Sequence, residues 1–348
     1  MKRTSAILAL AGAALLLASP VLSLLTGARV MPSYLADWLF WSSLPLGALP
    51  VVMLLDLAGP GPGFGLEPAL RRQLLLMPGA ALLLIPILVR PGVLFGWAMG
   101  HGFTTPFGHA WMNHGAFIVR SVVYFALWII LALIFRKPPA PGAVARRQGI
   151  AAIGLFAYAL TATLAAVDWA MTVEPNWSSP EFGMLLISTE AAIAVSAALL
   201  LAGTASRQAA REEAAAFLLA AAAVWVFLQF IQYLVIWSAD KPSDIAWYLH
   251  RAGSGSEVVV WFGFIGGFII PFFTLLSPRL RRHPVTLPAN AILMLCVQAL
   301  GTLWLITPSL RQRFMISAMD VLELAGLGGV MLGACLWPMP VAKAARHG

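Results

Sequence analysis

Long apolar runs alternate with short polar interruptions along almost the whole chain. A helix needs about 20 apolar residues to cross the hydrocarbon of a bilayer. Ten runs meet that length: roughly 5–25, 36–58, 73–89, 116–135, 149–169, 183–203, 214–237, 256–276, 286–306 and 317–337. The pattern predicts an all-α, polytopic transmembrane bundle in one integral membrane domain, 1–348. Pro20, Pro45, Pro50, Pro78, Pro86 and Pro271 interrupt the runs. In a membrane, neighbouring helices or water take up the carbonyls that proline frees. The stretch RKPPAPGAVARRQGI, with its basic linker 136–148, divides the chain into possible halves 1–135 and 149–348. No internal repeat is visible. Lys2 and Arg3 before the first apolar run also fit a signal peptide. The length of that run and the poor cleavage site Ala18-Ser19-Pro20 favour a retained span.

Composition agrees with the pattern. Of the 348 residues, 60% are apolar and 10% charged, against roughly 45–50% and 25% in soluble domains. That excludes an ordinary soluble enzyme, a disordered chain and a disulfide scaffold. A net charge of +8 would suggest nucleic acid in a soluble chain, but here the basic residues sit between spans and set topology instead. The N-terminus, the loops after even-numbered spans and the C-terminus hold 15 Lys and Arg. The loops after odd-numbered spans hold 6, and Arg120 lies inside the fourth span. This bias predicts that both termini are cytoplasmic.

The redox inventory is short. Cys296 and Cys335 lie in apolar runs, and no C-x-x-C-H is present. Two thiols cannot hold a four-ligand iron–sulfur cluster. The six histidines fall outside the apolar cores, so two cannot face a haem at mid-membrane. The chain is expected to carry no haem, cluster or metal of its own. His101, His109 and His114 share one loop, at spacings of eight and five that suit no usual helical ligand pair. They fit proton exchange, or simply a hydrogen-bonded, Gly-rich cap.

Ionisable groups inside spans are costly and invite functional readings. Of 14 acids, ten fall on the side opposite the basic loops: Asp37, Asp168, Glu174, Glu181, Glu190, Asp240, Asp244, Glu257, Asp320 and Glu323. Asp37, Asp240 and Asp244 also fit a simple avoidance of the basic rim. Glu190 lies deepest, roughly 10 Å into the sixth span at 1.5 Å per residue. It needs a partner, such as Arg120, or a proton. Asp320 and Glu323 share a helix face. Most tryptophans lie near span ends, as an aromatic belt does.

Two segments carry more than composition. They are VDWAMTVEPNWSSPEFG (167–183) and QYLVIWSADKPSDIAWYLHR (232–251), the latter followed by GFIIPFFTLLSPRLRR (267–282). Together they resemble the ActF-type membrane subunit of alternative complex III, within the polysulfide-reductase/NrfD-like superfamily. The resemblance covers about residues 100–285. The matching positions are Asp168, Trp169, Glu174, Pro175, Trp177, Tyr233, Trp237, Pro242, Trp247, Tyr248 and Arg251. The chain departs from that pattern around Pro242 and at Gly267, where the family has paired acids and a His. The resemblance implies two four-helix bundles with flanking helices, beside haem- and iron–sulfur-bearing partner subunits in a bacterial cytoplasmic membrane. It also implies contact with quinol. The expected proton-transfer residues are Glu190, Asp168 and His114. A quinone or proton path would use Trp169, Glu174, Trp177, Trp237, Glu257, Asp320 and Glu323. A structural anchor without a quinone site, or a secondary transporter built around Gly263, Gly266 and Gly267, are the alternatives.

Overall fold

The computed structural model describes residues 2–27, 29–59, 65–100, 106–140, 142–174, 177–203, 208–252 and 255–337. Among these the chain is all helix and turn, with ten helices long and apolar enough to span a membrane. The protein is a multi-pass membrane protein. We label the spans α1 (Lys2–Thr26), α2 (Val30–Ala58), α3 (Glu67–Val89), α4 (His114–Phe135) and α5 (Val144–Trp169). The rest are α6 (Phe182–Ala202), α7 (Gln208–Ala239), α8 (Ser256–Leu276), α9 (Thr286–Arg311) and α10 (Ala318–Leu336). The α2 helix starts earlier than its apolar run and α9 ends later. Both extensions bring polar residues under helical control.

Helices α2 to α5 form one four-helix bundle and α6 to α9 a second, joined where α2 packs on α6. Helices α1 and α10 pack on each other and flank α2. The basic stretch after α4 joins two helices of the first bundle. Helices α2 and α6 are the most buried, and the others turn apolar side chains such as Leu17, Phe156, Phe227 and Phe273 outward. The outward faces suit lipid, which is as apolar as they are.

Small residues set the closest approaches. A Cβ on Gly329 would stand 2.7 Å from the Gly12 Cα, and one on Gly47 would stand 1.9 Å from the Glu190 carbonyl oxygen. Glycine at these positions lets backbones touch, as in small-residue packing of membrane helices.

Proline breaks are answered by side chains from adjacent helices. Pro50 has no N–H for the Leu46 carbonyl, and the Tyr158 hydroxyl of α5 reaches that oxygen at 3.0 Å. Around Pro86 the α3 ladder shifts, with Leu84 N–H donating to Ala81 and Ile87 N–H to Leu84. The carbonyls passed over are those of Ala80 and Leu83. Trp38 Nε1 and the Tyr34 hydroxyl, both from α2, donate to them at 3.0 and 2.6 Å. In α8, a π turn over Ile265–Ile269 precedes Pro271. There a Cβ on Gly267 would meet the Trp225 ring at 2.6 Å. Gly263 and Gly267 are thus covered by the Trp225 ring, and Gly266 by Leu293 and Val297.

The chain's two ends of the bundle differ in chemistry. At the near end, α1 begins and α10 ends, tied by Ser5 Oγ donating to the Leu336 carbonyl at 2.9 Å. Arg71 bonds Asp56 and Glu67 there and also donates to the Phe135 carbonyl. The far end holds the loops after odd-numbered spans and almost all of the expected site residues.

Candidate functional site

Three arginines consume acids at the far end. Arg120 grips Asp168 with two hydrogen bonds of 2.8 and 2.9 Å, and the Tyr124 hydroxyl donates to the same carboxylate at 3.0 Å. Arg120 also donates to the Trp111 carbonyl and lies over the Trp111 ring at 4.4 Å. Arg120 therefore belongs to Asp168, not to Glu190. Glu174 accepts from Ser309 Oγ at 2.5 Å and from Arg251 at 3.4 Å, with His250 Nδ1 at 3.1 Å. Arg251 is buried over the Trp247 ring at 3.8 Å. Burial lowers its pKa to about 10 against the opposing pull of Glu174, which leaves it charged at neutral pH. Arg311 holds Asp320 at 2.7 and 2.9 Å, and Asp320 closes a capping box with Ser317 at the start of α10. Each pair ties neighbouring helices or loops together by charge-assisted, often bidentate bonds.

Three other carboxyls are buried inside spans with no cation on them. Glu190 is 6% exposed and its partner is the Tyr158 hydroxyl, 3.0 Å away. That hydroxyl also faces the Leu46 carbonyl at 3.0 Å. A hydroxyl has one proton and two lone pairs. The Tyr158 hydroxyl is therefore shared, its one proton serving either the Glu190 carboxyl or the Leu46 carbonyl. Asp37 and Glu323 are both fully buried, and among the described residues none of their four carboxylate oxygens has a hydrogen-bond partner. Asp37 lies close enough to Asp320, Glu323 and the Arg311 guanidinium to feel the charge of all three. Ser19 of α1 stands close to Glu323 without a hydrogen bond of ordinary geometry. Carboxyls in such settings need a proton, a water or a cation. At 1.5 Å per residue, Glu190 lies roughly 12 Å and Asp37 roughly 10 Å from the far ends of their helices.

The second bundle holds a cleft between α6, α7 and α9, closed by Trp177 and by Trp247 of the short helix Pro242–Leu249. Its cavity is about 50 Å³, room for a few waters. Trp177 and Trp247 stack at 4.8 Å, and Trp304 meets Trp247 edge-on at 5.4 Å. Three N–H groups on its wall, Trp177 Nε1, Trp304 Nε1 and Gln232 Nε2, are buried without a partner. Buried donors are nearly always bonded, and leaving one bare costs about 1–3 kcal/mol. Gln229, Gln298, Thr189 and Thr302 add further polar groups. Thr189 faces the cleft, whereas its neighbour Glu190 turns to Tyr158 on another face of α6.

The other expected residues are scattered. Trp169 is buried among Trp38, Phe125 and Trp128, and donates to Ser121 Oγ at 3.1 Å. That is a packing role in the first bundle. His114 opens α4, with its ring Nε2 2.7 Å from the Leu88 carbonyl. Glu257 is exposed in the first turn of α8, where a helix dipole favours an acid. Trp237 is 67% exposed, and lines a separate surface hollow. His101 and Pro175 lie outside the described residues. Among the described residues, no three His, Cys, Asp or Glu side chains gather as a metal site would require.

Sequence reading missed Asp37 as a buried group, and it missed Tyr158, Gln232 and Trp304 altogether. Asp37 gave a signal, since it falls just inside an apolar run. Gln229, Gln232 and Gln298 also gave one, being amides within spans. Compared with known protein-family models and with curated proteins, the chain matches none.

Proposed function

We propose that this chain is a membrane subunit of a respiratory quinol:acceptor oxidoreductase complex of the alternative complex III type, in the bacterial cytoplasmic membrane. Both termini are cytoplasmic in this reading, so the far end faces outward. The haem and iron–sulfur centres belong to partner subunits. The observation that carries the reading is the cleft of the second bundle. It offers stacked indole rings to a flat ring and bare N–H donors to a carbonyl oxygen, the mix that ligand pockets use. In this reading the carbonyl oxygen enters the cleft, displacing water, and the ring lies against its indoles. Quinol oxidation sends two electrons to a partner's redox centre and releases two protons. The buried carboxyls Asp37, Glu190 and Glu323 supply proton-accepting groups at the same end. The arrangement of two four-helix bundles with α1 and α10 outside them supports the family resemblance.

A second reading is a structural anchor without its own quinone. It draws support from the motif residues Asp168, Trp169 and Glu174, all of which are occupied by bonds within the chain. The transporter reading loses its best feature, because Trp225, Leu293 and Val297 pack against the glycine stretch of α8.

A photoreactive quinone analogue separates the first two readings. Labelling of the assembled complex within 177–189, 229–232 or 298–305, abolished by excess quinol, is expected. Labelling confined to partner subunits during turnover would overturn the quinone site and leave the anchor.

A further inference from the structure

We infer that the hollow where α7 meets the helix Pro242–Leu249 binds the ammonium headgroup of a zwitterionic phospholipid. It is a hollow of about 470 Å³, lined by Tyr233, Ile236, Trp237, Asp240, Ile245 and Tyr248. This volume is separate from the tryptophan cleft, and no residue lines both.

The local backbone makes the hollow. Asp240 ends α7 with φ at +48°, in the left-handed region. Few residues other than Gly, Asn and Asp accept that conformation. The chain then turns through Lys241, and Pro242 starts the next helix with the φ that a first helical residue needs. The turn swings Ile245 and Tyr248 back against the last turns of α7. Tyr233 and Tyr248 meet edge-on at 5.9 Å, with planes 79° apart. Burial raises the Tyr248 pKa above that of an ordinary phenol, so its ring is neutral at physiological pH.

Three aromatic rings and one carboxylate thus share a single hollow. Aromatic faces attract cations through their quadrupole and serve as cages for quaternary ammonium groups. The Asp240 carboxylate adds the complementary charge. Tyr233 and Trp237 are 52% and 67% exposed, so neither ring is used up in packing. Membrane-belt aromatics need only a polar tip and an apolar body. They do not need a shared hollow with an acid in it.

The surroundings select a lipid over a soluble amine. Below the hollow, α7 presents Val224, Phe227, Phe230 and Leu234 outward, a continuous apolar strip for acyl chains. Lys241, exposed at the turn, stands next in the chain to Asp240, where a headgroup phosphate would need a cation. Ammonium and phosphate therefore find opposite charges side by side at the end of an apolar helix face.

The test uses the full chain, delipidated in detergent and reloaded with an equimolar mixture of phosphatidylethanolamine, phosphatidylcholine and phosphatidylglycerol. Native mass spectrometry then counts the lipids retained. The amine lipids should be retained about fivefold over phosphatidylglycerol, as a cation–π and ion-pair contribution of roughly 1 kcal/mol requires. Asp240→Asn and Trp237→Leu should each remove most of that preference, and Phe227→Leu, on the lipid-facing strip, should keep it. All three changes are at exposed positions, and size-exclusion profiles check that the variants stay folded. Equal retention of the three lipids, preference for phosphatidylglycerol, or an undiminished preference in both hollow variants would overturn the proposal.

Discussion

The two four-helix bundles use tryptophan in opposite ways. In the first, Trp38, Trp128 and Trp169 pack ring against ring, and each indole N–H is bonded, to the Ala80 carbonyl, Thr161 Oγ1 and Ser121 Oγ. In the second, Trp177, Trp225 and Trp304 are equally apolar in setting, yet none of their indole N–H groups has a partner. The three packed tryptophans of the first bundle thus close their N–H groups inside the chain, as a rigid packing cluster does, although among the described residues Trp97 Nε1 and the Asp37 carboxyl of the same half have no hydrogen-bond partner. The second leaves donors on a cleft wall, which is stable only when something else supplies acceptors. A sequence with tryptophans in both halves teaches nothing of this. The difference lies in whether a hydroxyl or carbonyl happens to face each ring.

The comparison breaks first at its strongest bond. Asp168→Ala leaves the Arg120 guanidinium without its buried partner, at a cost of about 3–5 kcal/mol. The variant should lose most of its folded fraction in detergent, followed by thermal unfolding. Stability equal to wild type would show that the first bundle is not locked as described. Tyr158→Phe comes next. It strips the Leu46 carbonyl and Glu190 of their partner at once, and about 1–3 kcal/mol of stability should go with them. Restoring nearly all of it by adding Glu190→Leu would show that the bare carboxyl, not the carbonyl, carries the loss.

A matched pair then sharpens the contrast between the bundles. Trp169→Phe keeps a ring but deletes a satisfied N–H, and should cost about 1 kcal/mol or more. Trp304→Phe deletes an unsatisfied one, and stability should stay within about 0.5 kcal/mol of wild type. The same Trp304→Phe change should weaken labelling by a quinone analogue severalfold if its N–H is a ligand donor. Equal losses of stability from the two replacements would erase the distinction.

Hydropathy alone located all ten spans, because bilayer thickness imposes the same length on every crossing and each helix satisfies its own backbone. The all-α class and the multi-pass character follow from composition in the same way. The ends of α2 and α9 did not: Ser33, in the early turn of α2, and Arg311, in the last turn of α9, bond each other across the bundle.

Depth along a span was also legible, and it marked Glu190 correctly as a buried carboxyl. What no linear reading supplied is which acids are spoken for. Asp168 is held by Arg120, 48 residues away, and Glu174 by Arg251, 77 residues away. Glu323 lies three residues from the paired Asp320 and has no hydrogen-bond partner among the described residues. Asp320 and Glu323 look alike in sequence, each an acid near the start of a span. Helix packing decides between them, because a carboxylate reaches only the few side chains within about 3 Å of it, and those come from other helices.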